Sequence, residues 1–241
     1  MVAPIRIEGG ITIEGGTTIG NVPVPPAPVL MLNLDAATYA GSGPWIDTVG
    51  AKSFTLYGSP TYNAGDAGGT FSFDAGYGQY AESNTSLSNL STWSVVVWHY
   101  YNNTNTGSSP CIITEIYPGS TGQINYALGS LNDNSPGLMA GWYSGAWGMT
   151  PYTLTSGNWY QLVGTYDGTT VSLYVNNTLI RQLASVGGPP ISSQGGIRLM
   201  RRWDNPEYWG GKLGIVQVYE NAMRPGDIAG NWISNRARFG L

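Results

Sequence analysis

Residues 160–180 constrain the fold of this chain more than any other stretch. The run Tyr160-Gln161-Leu162-Val163-Gly164-Thr165-Tyr166 leads into Asp167-Gly168, and Thr170-Val171-Ser172-Leu173-Tyr174-Val175 leads into Asn176-Asn177. Asp-Gly and Asn-Asn supply the positive φ angles that hairpin turns need, so two strands joined by a tight turn are predicted, with a second turn directly after. Val171, Leu173 and Val175 alternate with Thr170, Ser172 and Tyr174, the period of two of a sheet with one buried face. Trp159, just ahead of the first strand, adds a large anchor.

Strand-like runs bounded by Gly, Asn, Ser and Pro recur at 53–57, 70–74, 78–82, 92–100, 111–117, 123–128, 137–143, 159–166, 170–176, 178–183, 196–200 and 211–219. Short strands with turn signals between them predict an all-β, two-sheet antiparallel β-sandwich. A chain of 241 residues is long enough for one such domain. Helix is scarce. Pro225 to Arg236 reads as one short C-terminal helix, with Pro favoured early and Ile228, Trp232 and Ile233 on a common face.

In full order, Gly-Asn-Trp-Tyr-x-Leu-Val-Gly-Thr-Tyr-Asp-Gly-x-x-Val-x-Leu-Tyr-Val-Asn-Asn (157–177) resembles the strand pair of laminin-G-like domains in the concanavalin A-like lectin/glucanase superfamily. Val29 to Asp35 is similar to that family's opening strand. Gly69 to Asp74 is similar to its G-x-x-F-x-F-D-G strand, with Ala75 where Gly is usual. Thr92 to Trp98 resembles its T-x-S-x-W strand, and Gly210 to Tyr219 with Asn221-Ala222-Met223 resembles its closing element. The resemblance covers about residues 29–241 and implies a jelly-roll sandwich of a kind that often binds glycans or protein surfaces.

Residues 1–28 read differently. Ile5-Arg6-Ile7-Glu8-Gly9-Gly10 is followed by Ile11-Thr12-Ile13-Glu14-Gly15-Gly16 and Thr17-Thr18-Ile19-Gly20, a short repeat. Ile5, Ile7, Ile11, Ile13 and Ile19 all fall at odd positions, an apolar edge that one isolated strand cannot bury. The edge could lie on its own domain or on a neighbour, or three copies could wind together. Pro23, Pro25, Pro26 and Pro28 form a semi-rigid spacer that favours burial between molecules. The division expected is therefore 1–28 as an attachment and oligomerisation arm and 29–241 as the sandwich.

Charge and chemistry exclude several function classes. Ten Lys and Arg against 14 Asp and Glu give a net charge of −4, with no basic footprint for nucleic acid. Charged residues are 10% of the chain, against ~25% in ordinary globular proteins. Arg201-Arg202, Arg236 and Arg238 read as solvated charges. No apolar run reaches 18 residues, and the N-terminus lacks the charged and apolar regions of a signal peptide, so neither membrane insertion nor that export route is expected. Cys111, the single cysteine, sits in a strand pattern as a small buried hydrophobe, with no disulfide framework or zinc site.

The superfamily's glucanases place carboxylates in a Glu-x-Asp-x-x-Glu strand pattern, and that spacing is absent here. Asp204 and Glu207 are separated by Asn205-Pro206, and His99, the only histidine, ends a strand in a structural role. No catalytic residues are expected. Asp133 and Asp204 could serve as calcium ligands, yet turn chemistry accounts for both, so no metal or other cofactor is expected. Trp142, Tyr143 and Trp147 in one segment, with Trp203, Asn205 and Tyr208 in another, are the candidate carbohydrate contacts, because flat rings stack on sugar faces.

These features together point to a non-enzymatic virion protein. The expected role is a capsid decoration or short fibre protein of a tailed phage, located on the particle surface. Its expected partners are copies of itself as a homotrimer, other virion proteins and a possible cell-surface glycan. The closing Asn235-Arg236-Ala237-Arg238-Phe239-Gly240-Leu241 is similar to the ends of phage-encoded laminin-G-like proteins. The rival readings are a cellular or secreted carbohydrate-binding module or adhesin, and a glucanase-like glycoside hydrolase.

Overall fold

The computed structural model describes residues 11–13, 17–19, 27–87, 90–116, 124–130, 138–141, 147–150, 152–184 and 195–241. Ile5 and Ile7 lie outside the described residues. Within the arm, β1 (Ile11–Ile13) and β2 (Thr17–Ile19) pair antiparallel, with Ile11 opposite Ile19 and Ile13 opposite Thr17. The two segments of the repeat therefore pair with each other within the chain.

The remaining strands are β3 (Leu30–Asp35), β4 (Trp45–Ile46), β5 (Ser53–Tyr57), β6 (Thr61–Asn63), β7 (Thr70–Phe73), β8 (Tyr80–Ser83), β9 (Trp93–Tyr101), β10 (Cys111–Ile116), β11 (Ile124–Ser130), β12 (Leu138–Gly141), β13 (Trp147–Thr150), β14 (Asn158–Tyr166), β15 (Thr170–Val175), β16 (Thr178–Ala184), β17 (Ile197–Leu199) and β18 (Gly211–Tyr219). They form two antiparallel sheets. The first runs β13-β12-β11-β10-β17-β8-β5-β4, and the second β16-β15-β14-β9-β18-β7-β6 with β3 also pairing β18. The fold is a two-sheet jelly-roll sandwich with one C-terminal helix, α1 (Pro225–Asn235).

The hairpin at 158–178 shows how sequence dictates this geometry. Asn176 (φ 48°) and Asn177 (φ 62°) both take the left-handed conformation between β15 and β16. At the other turn Gly168 has φ 100°, and the Asp167 Oδ1 accepts from the backbone N–H groups of Thr169 and Thr170 at 2.8 and 2.7 Å. Partial burial opposes the charged form of Asp167, but these hydrogen bonds outweigh it and hold the carboxyl below its usual range.

Strand β9 reads as a nearly continuous apolar run because it is covered on both sides. Trp93, Val95, Val97 and Tyr101 enter the core between the sheets, whereas Val96 and Trp98 enter a second cluster with Val163, Ile215, Met223, Ile228 and Phe239. That second cluster lies under α1. Trp98 stacks on Trp232 (5.5 Å, 9°) and on Phe239 (4.8 Å, 16°). Asn231 anchors the helix to the sheet: its Oδ1 accepts from Trp98 Nε1 and Gln161 Nε2, and its Nδ2 donates to Gln217.

Two expectations are corrected. Ile233 is 69% exposed and does not share the buried face of Ile228. Five residues of helix rotate it about 140° away, whereas Trp232, four residues on, returns to the sheet. Arg202 and Arg238 are not merely solvated. Arg238 grips both oxygens of Asp35 (2.8 and 2.9 Å), and Arg202 pairs with Asp204 (2.6 Å) and Glu207 (3.0 Å).

Candidate functional site

Four loops meet at one end of the sandwich: 58–60, 74–79, 102–110 and 200–210. Asp74 ends β7 and caps the 3-10 turn Ala75–Tyr77, its Oδ1 accepting from the Gly76 N–H at 2.8 Å. Gln79 then pins the neighbouring loop by donating to the carbonyls of Gly58 and Ser59, while its own carbonyl accepts from the Asp74 N–H. On the far side Tyr208 and Thr106 exchange hydrogen bonds, and the Glu207 Oε2 accepts from the Ser109 N–H at 2.6 Å. Gly78 takes a left-handed conformation (φ 64°) that favours glycine, and a Cβ here would press on the Tyr208 ring at 3.3 Å.

A groove of about 380 Å³ opens beside these loops. Register builds its floor: Thr61 on β6 lies opposite Ser72 on β7, Ser72 opposite Lys212 on β18, and Lys212 opposite Tyr100 on β9. This outward-facing row continues to Trp159 on β14, which meets Tyr100 edge-on at 5.7 Å. Lys212 is neutralised by Asp66 at 2.6 Å and lies 4.8 Å over the Tyr100 ring. Asp74, Tyr77, Asn102 and Thr104 supply further walls, and Tyr77 is 79% exposed. The groove therefore offers hydroxyls, an amide, one capping carboxylate and a free aromatic ring, the mixture that suits a polyhydroxylated ligand.

Behind the floor, His99 is fully buried. Its Nε2 accepts from Trp209 Nε1 at 2.9 Å, which leaves Nδ1 to donate to the Lys212 carbonyl at 3.0 Å. Burial drives its pKa from 6.5 to about 3, against the opposing pull of that carbonyl. The ring is neutral and structural, and it touches no nucleophile. Cys111 is likewise buried, which pushes its thiol pKa up and leaves it a small hydrophobe.

The carboxylates are held by partners. Glu82 pairs with Arg198, Asp204 and Glu207 with Arg202, Asp66 with Lys212, and the buried Glu115 accepts from the Leu87 N–H at 2.6 Å. Among the described residues no group of three or more His, Cys, Asp or Glu side chains converges as a metal site. Asp133 lies outside the described residues, and Asp204 is committed to Arg202.

Of the sequence candidates for sugar contact, Trp142 and Tyr143 lie outside the described residues, and Trp147 opens β13 in its backbone alone. Trp203 is corrected: it is 5% exposed and packed in the core, with Arg202 4.7 Å over its ring, so it presents no free face. Asn205 is exposed and Tyr208 half-buried at the loop end. Sequence reasoning missed Asp74, Tyr77, Tyr100, Asn102, Thr104 and Lys212. Tyr77 had a readable signal, an aromatic residue set between Gly76 and Gly78, where a ring cannot easily be buried.

The family model for the Concanavalin A-like lectin/glucanases superfamily matches residues 74–229. The chain belongs to this superfamily. The match begins at the Asp74 turn and takes in three of the four loops of the site. No curated protein matches the chain. Solved structures share the superfamily's jelly roll at low identity. Domain 4 of AbnA, a GH43 extracellular arabinanase from Geobacillus stearothermophilus in complex with arabinotriose, has a TM-score of 0.66 at 18% identity, covering 85% of this chain and 98% of that one. Trypanosoma rangeli sialidase has a TM-score of 0.63 at 12% identity, with 87% of this chain matched to only 33% of the sialidase. The binding domain of Paraclostridial Mosquitocidal Protein 1 has a TM-score of 0.62 at 13% identity, covering 86% of this chain and 52% of that one.

Proposed function

We propose that this protein binds glycans without cleaving them, and that it does so as a displayed component of a virion, a capsid decoration or short fibre protein of a tailed phage. The observation that carries the binding role is the groove at the loop end, where the exposed Tyr77 ring faces a floor of Thr61, Ser72, Lys212 and Tyr100. Most glycoside hydrolases place two carboxyl groups on either side of the scissile bond, roughly 5–9.5 Å apart. Asp74 is the one carboxylate among the described residues lining the groove, and it is engaged as a cap. Support for binding also comes from the likeness to an arabinanase domain solved with arabinotriose and to a toxin binding domain.

The particle assignment rests on the sequence of the arm: an apolar Ile edge and a Pro-rich spacer that suit attachment and assembly as a homotrimer. A second reading, a carbohydrate-binding module of a cellular or secreted protein, is favoured by the 98% coverage of the arabinanase domain, which is one part of a larger enzyme. Mass spectrometry of purified particles from a producing strain separates the two. The virion reading expects the chain at stoichiometric levels in the particle, and its restriction to the cell wall or medium fraction would overturn that reading.

A further inference from the structure

Beside the groove, on the other flank of the 74–80 turn, two tyrosines flank a guanidinium and a third stacks behind one of them. Tyr57 on β5 and Tyr80 on β8 are directly opposed in register and stack in parallel, 4.5 Å apart at 8°. Arg201 lies 4.8 Å over the Tyr80 ring and 5.9 Å from the Tyr208 ring, which closes the far side through an isolated Arg201–Tyr208 backbone bridge. Arg198 pairs with Glu82, and Arg202 with both Asp204 and Glu207. Arg201 has no carboxylate partner among the described residues, and its buried Nε lacks a hydrogen-bond partner. Its guanidinium is therefore held by rings rather than by an acid.

A guanidinium fixed over aromatic faces presents its N–H fork in a set direction, and such a fork matches planar or tetrahedral oxyanions. Tyr57, 40% exposed, backs the Tyr80 ring. We propose that Arg201 forms an anion subsite that receives a saccharide residue bearing a carboxylate or sulfate, with Tyr80 and Tyr208 as flanking rings. The proposal rests on the reading of this loop end as glycan-facing, and it adds that the preferred glycans are acidic. Gly78 joins the two sites, since it connects Tyr77 in the groove to the strand of Tyr80 and packs on Tyr208.

The test is calorimetric titration of the full chain with three defined probes of equal length: a uronate oligosaccharide, a sulfated oligosaccharide and a neutral one. Wild-type protein is expected to bind one or both acidic probes at least about tenfold more tightly than the neutral probe, and Arg201→Gln to lose that preference while keeping neutral-sugar affinity. Arg201→Lys should recover part of it, because charge returns without the fork. Since Arg201 packs between rings, Tyr208→Ala is measured beside it; loss of this flanking ring leaves the charge in place, and acidic-probe affinity should fall several-fold. Equal affinity for neutral and acidic probes, or an Arg201→Gln variant with unchanged acidic preference, overturns the subsite and leaves glycan binding standing. Failure of the wild-type protein to bind any of the three overturns both.

Discussion

His99 shows what one residue can report about the whole sandwich. It is the only histidine in the chain, so no other side chain titrates with an ordinary pKa near 6.5. In the folded protein burial holds its pKa near 3, whereas the unfolded chain returns it to the ordinary value. Between these limits the unfolded state binds the extra proton, so stability rises with pH and is lost as pH falls below about 6.5. The slope approaches ~1.4 kcal/mol per pH unit before it flattens near the folded value. Urea midpoints should therefore drop clearly from pH 7 to pH 5, and His99→Gln should flatten that dependence; identical midpoints for the wild type at both pH values would contradict the buried neutral ring. The structural role of His99 was legible from its place at the end of an apolar strand. Trp203 was not, because composition does not tell a ring that faces solvent from one that turns under its own loop. Nor was the pairing of Arg201 with tyrosines rather than acids, since those partners come from β8 and from a residue seven positions on.

At the scale of elements, period-two patterns and turn chemistry carried most of the fold. The strand expected at 53–57 spans Ser53–Tyr57, and that at 211–219 spans Gly211–Tyr219, because Gly, Pro and Asn fix the ends of each run. The short strands Trp45–Ile46 and Thr61–Asn63 escaped, since two or three residues cannot show a period. They matter for function, as Thr61 forms part of the groove floor. The seam between α1 and the sheet makes a sharp prediction at Gly214. A Cβ there would lie 2.4 and 2.6 Å from two atoms of the Phe239 ring, which itself stacks on Trp98. Gly214→Ala should cost about 1–3 kcal/mol by overpacking, seen as a lowered melting temperature with the tryptophan fluorescence of the seam altered. A melting temperature equal to wild type would mean that the C-terminal turn does not press on the sheet.

For the whole molecule, two claims separate the arm from the sandwich. Among the described residues both hydrophobic clusters are built from residues 31–239, and a chain that begins at Pro28 should unfold cooperatively with the melting temperature of the full protein. Aggregation of that shortened chain would place the arm in the core. In the full protein, Ile7→Asp with Ile13→Asp puts charge on the edge proposed to pack between copies, where each fully buried side chain would contribute about 1.5–3 kcal/mol. That double variant should keep a folded sandwich and lose self-association in sedimentation; retained trimers would refute the assembly role of the arm. The sequence exposed this edge through its repeat, but a repeat does not say whether the chain pairs with itself, as Ile11 and Ile19 do, or with other copies.

The central claim is that the loop end binds a glycan and leaves it intact. It is tested most directly by calorimetric titration of the full chain, wild type beside Tyr77→Ala, with an oligosaccharide panel, followed by product analysis of the same samples. Tyr77 is 79% exposed, so its removal should spare the fold while taking away the ring that faces the groove. The wild type should bind saturably and Tyr77→Ala at least about fivefold more weakly, with the oligosaccharides recovered at their original length. Shortened products, or equal affinities for the two proteins, would contradict it.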